Sequence, residues 1–130
     1  REPLSGISAI CPVSLDTRIW LASPRTAISA FAHACRLDGT VLGTNRAVNV
    51  PGVSVTAGEM IDTLRHVAGS NVAGHVQLAP DPVIQSIIGS WPGAWDCTRA
   101  HALGFVGDAD FEAMVRAYVE DDLPDAVAAG

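Results

Sequence analysis

Apolar residues recur at helical spacing in two well-marked stretches of the chain. After Ser23-Pro24, the positions Ile28, Phe31, Ala32 and Cys35 form one apolar face, which predicts a helix buried along that stripe. Serine supplies the N-cap oxygen, and proline takes the first helical position, where its missing N–H costs nothing. Asp38-Gly39 supplies the stop. The second stretch opens on Thr56-Ala57-Gly58-Glu59 and continues with Met60, Ile61, Leu64, Val67 and Ala68 before Gly69. Thr56 and Glu59 have the spacing of a capping box, in which each side chain satisfies the other's backbone N–H. Gly69 is placed as the C-terminal stop.

Short β-prone runs at 18–22, 46–50 and 72–78 precede or separate these stretches and predict strands. Asp81-Pro82 opens a further helix to about Ile88, and Trp91-Pro92-Gly93 breaks it. A short helical turn over 98–103 and an amphipathic helix over 110–123 complete the pattern. Asp108, Asp110 and Glu112 stand where the positive end of that last helix favours negative charge. Strands alternating with helices define an α/β class. Residues 1–123 are expected to form one lobe, with a small mixed sheet and packed helices, and 124–130 a disordered tail.

Charge narrows the partners. The net charge is −6, yet residues 1–100 hold seven acids and seven arginines, so the excess lies in the last 30 residues. A neutral body with an acidic end lacks the clustered cations of a nucleic-acid surface. No apolar run approaches the roughly 18 residues of a membrane span, and the opening Arg1-Glu2-Pro3-Leu4 lacks the design of a signal peptide. The chain contains no lysine, and Tyr118 is its single tyrosine. That excludes a Schiff base, a phosphate-loop lysine and a Tyr-Lys proton relay. Cys11, Cys35 and Cys97 are odd in number and widely spaced, so they are expected to be reduced and metal-free, as in the cytoplasm.

Several constellations could carry chemistry. Asp62 and His66 stand four apart on one helix, as acid–base partners or metal ligands might, but a third ligand is missing and an exposed surface pair explains them equally well. Cys97 and His101 are also four apart and could pose a thiolate beside its base, without an evident oxyanion loop. Gly52-Val53-Ser54-Val55-Thr56 has the context of a nucleophile elbow but not its closing glycine, so Ser54 is read as serving a turn. No G-x-G-x-x-G or phosphate loop occurs. Arg18 is more suggestive: leading a strand beside Trp20, its guanidinium fork can take a carboxylate or phosphate through two parallel hydrogen bonds. A salt bridge to a nearby acid is the competing reading. Trp91 could line a pocket or belong to the core.

The order of these segments resembles a known family. Asp16-Thr17-Arg18, the entry at Ser23-Pro24, Asn49 before Pro51-Gly52-Val53-Ser54-Val55-Thr56, then Pro80-Asp81-Pro82, Ser90-Trp91-Pro92 and Leu103-Gly104-Phe105 follow one another. Together they resemble the C-terminal part of extended short-chain dehydrogenases/reductases, nearest to the D-erythronate dehydrogenase-like and short-chain L-threonine 3-dehydrogenase branches. The resemblance implies a substrate-side lobe whose partner is a Rossmann domain outside this sequence. That domain would bind NAD and carry the catalytic Ser/Thr, Tyr and Lys. It implies that Thr17 and Arg18 contact the carboxylate end of a small hydroxy-acid substrate and that Trp91 lies near the pocket. It also implies that the strand near 48–50 joins the edge of the Rossmann sheet; left alone, such an edge invites self-association.

The expected function is therefore substrate binding within an NAD-dependent oxidoreductase that acts on a secondary alcohol. The chain alone would hold no cofactor and no metal and would be inactive. Alternatives are a stand-alone α/β binding or oligomerisation module using the acidic last helix, a sugar-nucleotide epimerase/dehydratase fragment, and a small cysteine hydrolase built on Cys97 and His101.

Overall fold

The computed structural model describes residues 1–123; the expected tail, 124–130, lies outside them. A one-turn helix at Glu2–Ser5 precedes β1 (Ala9–Cys11), β2 (Arg18–Leu21) and α1 (Pro24–Ala34). After a second single turn, Gly39–Leu42, come β3 (Val53–Thr56), α2 (Ala57–Ala68), α3 (Ser70–Ala73) and β4 (Val76–Leu78). The chain continues through α4 (Pro82–Gly89), α5 (Thr98–Ala102) and α6 (Phe111–Asp121). Among the described residues, no helix is long and apolar enough to cross a membrane.

The α/β class holds, but the strands form two separate pairs. β1 runs parallel to β4, with Ile10 opposite Gln77. β2 runs antiparallel to β3, with Arg18 opposite Thr56 and Trp20 opposite Ser54. Each longer helix starts under its own cap. The Ser23 hydroxyl accepts from the Thr26 amide at 3.0 Å. The Thr56–Glu59 box is closed at 3.1 and 2.7 Å. Asp81 accepts from Val83 and Ile84, and Asp110 from Ala113. α2 packs on α3 and α6, with its stripe of Met60, Ile61, Leu64, Val67 and Ala68 half-buried as its periodicity requires.

Helix α1 departs from its pattern. Ile28 and Phe31 are 68% and 73% exposed, and Cys35 is exposed too. The inward side is instead Thr26, Ala30, His33 and Leu37, all buried or half-buried. Small residues win here because the helix sits close to a core of Cys97, Ala100 and Phe105, flanked by Trp20, Val48 and Leu103. His33 pins the contact: its Nε2 lies 2.8 Å from the Leu103 carbonyl, and its ring meets Phe105 edge-on at 4.7 Å. Gly104 makes that approach possible, with φ of +85° and no room for a Cβ beyond 3.3 Å from the imidazole.

Three further expectations change. Residues 46–50 form no strand, because none of the described residues offers them a strand partner. Side chains from the 96–99 turn hold this segment instead: Arg99 donates to the carbonyls of Leu42, Asn45 and Ala47, and Asn49 donates to that of Asp96. The first half of the 72–78 strand is the end of α3, and only Val76–Leu78 pairs. Asp108 does not serve the last helix; its carboxylate takes the Ser23 amide at 2.8 Å and hydroxyl at 2.7 Å, bracing the start of α1.

Candidate functional site

Strand β2 begins at Arg18, and alternation along a strand sends Thr17 and Arg18 to opposite sides. Thr17 is buried. Its hydroxyl lies 2.9 Å from that of Ser14 and accepts from Gln85 Nε2 at 3.0 Å, while the Ser14 amide donates to Gln85 Oε1 at 2.7 Å. Thr17 thus ties the start of β2 to α4, and its hydroxyl is engaged inside the protein.

Arg18 lies at the surface, with its side chain 48% exposed. Its Nη1 donates to the Ser54 carbonyl at 3.3 Å, stands 3.4 Å from the Ser54 hydroxyl, and lies 3.7 Å from Glu59 Oε2. Among the described residues, Nε and Nη2 have no hydrogen-bond partner, so one edge of the half-exposed fork is uncommitted within the protein. Ser54 Oγ also donates to the Gly93 carbonyl at 2.7 Å, fastening the turn after α4 to β3. Gly93 lies against the Arg18 stem: a Cβ there would stand 3.1 Å from Arg18 Cγ. Trp91, two residues earlier, is 57% exposed. Hydrogen bonds from Thr56, aided by the charge of Arg18, hold the Glu59 carboxyl below its usual range, so it is anionic at neutral pH.

The ensemble is a guanidinium with one edge committed to the protein and one free, beside a fixed carboxylate. Chemically, it can dock a planar anion through two parallel hydrogen bonds. Ser54, Glu59 and Gly93 join Arg18 only through the pairing of β2 with β3 and the fold-back of the 91–93 turn. The one signal for Glu59 was its capping box, since Thr56 is the cross-strand partner of Arg18. Among the described residues, grooves of about 300 to 390 Å³ lie elsewhere, and Thr17, Arg18 and Trp91 do not line them.

The other constellations do not assemble. Asp62 pairs with Arg65, and His66 faces Glu112 at 4.0 Å. Among the described residues, no group of three His, Cys, Asp or Glu side chains could hold a metal ion. Cys97 is buried with its thiol toward the Val50 carbonyl at 3.8 Å, and His101 Nδ1 lies 3.3 Å from the Phe105 carbonyl. Burial, helped by Asp96, pushes the Cys97 thiol up, the reverse of an activated nucleophile. Nor do these residues fit a dinucleotide. A pyrophosphate requires a glycine-rich turn and open amides at a helix N-terminus. Here α1, α2, α4 and α6 all begin under a side-chain cap, and Asp108 adds a negative charge at α1.

No family model matches the chain. It is 50% identical over 121 residues to a D-erythronate dehydrogenase of Cupriavidus necator, covering 93% of this chain and 37% of that protein. The solved structure of a nucleoside-diphosphate-sugar epimerase from Agrobacterium tumefaciens superposes with a TM-score of 0.92 at 35% identity, over 95% of this chain and 36% of the other. An L-threonine dehydrogenase from Clostridium difficile shares the fold alone, with a TM-score of 0.80 at 20% identity, over 97% of this chain and 39% of its own. The chain therefore spans a little over a third of the length of these proteins. In sequence and in fold, it is similar to one portion of these dehydrogenases and of the epimerase.

Proposed function

We propose that this chain is the substrate-binding side of a cytoplasmic, NAD-dependent oxidoreductase acting on the secondary alcohol of a small hydroxy acid. The observation that carries the reading is the free Nε/Nη2 edge of Arg18, a ready two-bond cradle for a carboxylate. The kinship with a D-erythronate dehydrogenase supports the hydroxy-acid class. In this reading, Arg18 fixes the acid end, Ser54 and Gly93 hold its inner nitrogen and stem, and Trp91 lies near the substrate. Thr17 positions β2 through Gln85. The cofactor and the proton relay belong to a nucleotide-binding domain that this sequence does not contain, so the chain by itself holds the substrate without turning it over. The unpaired 46–50 segment would add to a sheet of that domain or, in its absence, to a second copy of the chain.

The test is Arg18→Lys in the complete enzyme. Lysine keeps the charge and loses the planar fork, so transition-state binding falls by about 1–3 kcal/mol, the worth of a charged hydrogen bond. The thermal midpoint should hardly move, because a surface-facing arginine contributes little to folding. An unchanged kcat/KM would remove Arg18 from the substrate site.

A further inference from the structure

The fork of Arg18 shares its inner nitrogen with an acid that is held by the backbone. Glu59 Oε2, 3.7 Å from Nη1, also accepts the Thr56 amide at 2.7 Å, and Thr56 Oγ1 accepts the Glu59 amide in return. The capping box that starts α2 therefore fixes this carboxylate in place. Arg18 is fixed from its other sides, by the Ser54 carbonyl and by Gly93 against its stem. An incoming anion on the free edge binds a guanidinium that is already partly neutralised, with a stationary negative charge behind it. We propose that Glu59 is a charge filter for the Arg18 cradle: it weakens anion binding overall and discriminates against ligands carrying a second negative charge.

The physical argument is Coulombic. One carboxylate on the fork meets an attraction from Arg18 and a weaker, more distant repulsion from Glu59. A second carboxylate or a phosphate dianion feels both terms in proportion to its charge, so Glu59 subtracts about twice as much from the binding of a dianion as from that of a monoanion. Because the groups are half-exposed, the effect is modest and falls as salt screens it. Glu59 would therefore be a specificity residue that never touches substrate, set by the same residues that cap a helix.

This inference rests on the carboxylate reading of Arg18, and its test separates the two. In the complete enzyme, Glu59→Gln removes the charge and keeps a capping-competent side chain. The KM for a monocarboxylate substrate is expected to fall about two- to five-fold, with kcat and the thermal midpoint unchanged. Inhibition by malonate should tighten more than inhibition by acetate, and both gains should shrink between 50 mM and 500 mM salt. A KM unchanged or raised in Glu59→Gln, at an unchanged midpoint, overturns the filter. A second measurement is the ratio of the two inhibition constants: at low salt, malonate should gain less over acetate in the unmodified enzyme than in Glu59→Gln, and the difference should close as salt rises. The same ratio in both enzymes at low salt also overturns the proposal. If Arg18→Lys leaves the KM unchanged, the carboxylate reading itself fails. If Arg18→Lys raises KM while Glu59→Gln does nothing, only the filter fails.

Discussion

Helix α1 enters from β2 under a serine cap with a first-turn proline, and α2 enters from β3 under a threonine cap with a reciprocal glutamate. Their apolar periodicity is equally clear, yet the two come to rest differently. The apolar stripe of α2 is half-buried between α3 and α6, whereas Ile28 and Phe31 of α1 point to solvent. Capping and spacing specify that a helix forms and that it has an apolar face. Which face is covered depends on what else is present to cover it. On the α2 side, this chain supplies its own partners. On the α1 side, the inward contacts are made by alanine, threonine and histidine, and the large apolar residues are left over.

The leftover surface does not stop at α1. α4 has no buried residue; Val83, Ile84 and Ile87 are exposed, as is Trp91 just beyond it. An apolar groove of about 370 Å³ lies between α1 and the 42–50 segment, lined by Phe31, Leu37, Val48 and Phe105 among others. A helix apolar on most sides and buried on none is the mark of an element whose packing partner lies outside it. This agrees with a chain that spans little more than a third of its relatives' length.

The comparison can be broken most sharply at the small core that does hold α1. Phe105 is buried, with the His33 ring against its edge. Phe105→Ala should cost about 3–5 kcal/mol, the cost of a buried aromatic and its cavity. Urea denaturation checks it. A loss below about 1 kcal/mol would mean that the α1 side has no real core in this chain, and that all of its stability sits around α2.

A smaller effect is expected where α1 begins. Asp108→Ala removes the carboxylate that accepts both the Ser23 amide and hydroxyl. Ser23 can still cap the helix, so the cost is that of the charged hydrogen bonds lost at a half-buried site, about 1–3 kcal/mol. Asp108→Asn, which keeps one acceptor oxygen, should recover part of it. A shift in the denaturation midpoint for Ala with partial recovery for Asn is the expected pattern; no shift in either would show that α1 needs no brace.

How far these features could be read in advance follows from how local each signal is. Caps and stops depend on four or five consecutive residues, so α2, α4, α5 and α6 were legible to within a residue or two of their ends, and α1 at its start only. Arg18 was legible as a candidate because its position at the head of a β-prone run with Trp20 is local. Its companions were not: Ser54 and Glu59 reach it through the register of β2 on β3, 36 and 41 positions away, and Gly93 through a turn further still. Asp108 lies in sequence beside the start of α6 and serves the start of a helix 85 positions back. The 46–50 run has the composition of a strand, but a strand exists only with a neighbour. β1 and the Glu2–Ser5 turn passed unmarked because three or four residues carry no period.

The smallest effect is also the one that decides between the two helices. Ile28→Ser with Phe31→Ser replaces the exposed stripe of α1 by side chains of similar helix propensity. If that face is uncovered in this chain, its folding free energy should change by no more than about 0.5 kcal/mol, as for ordinary surface substitutions. Removing two large apolar groups from the surface should at the same time reduce concentration-dependent self-association, read by sedimentation velocity at matched concentrations. The counterpart on the covered side is Met114→Ala in α6, where a buried methionine is lost at a cost of about 2–5 kcal/mol. Equal losses from the two changes would mean that α1 buries its stripe after all, and the contrast with α2 would go with it.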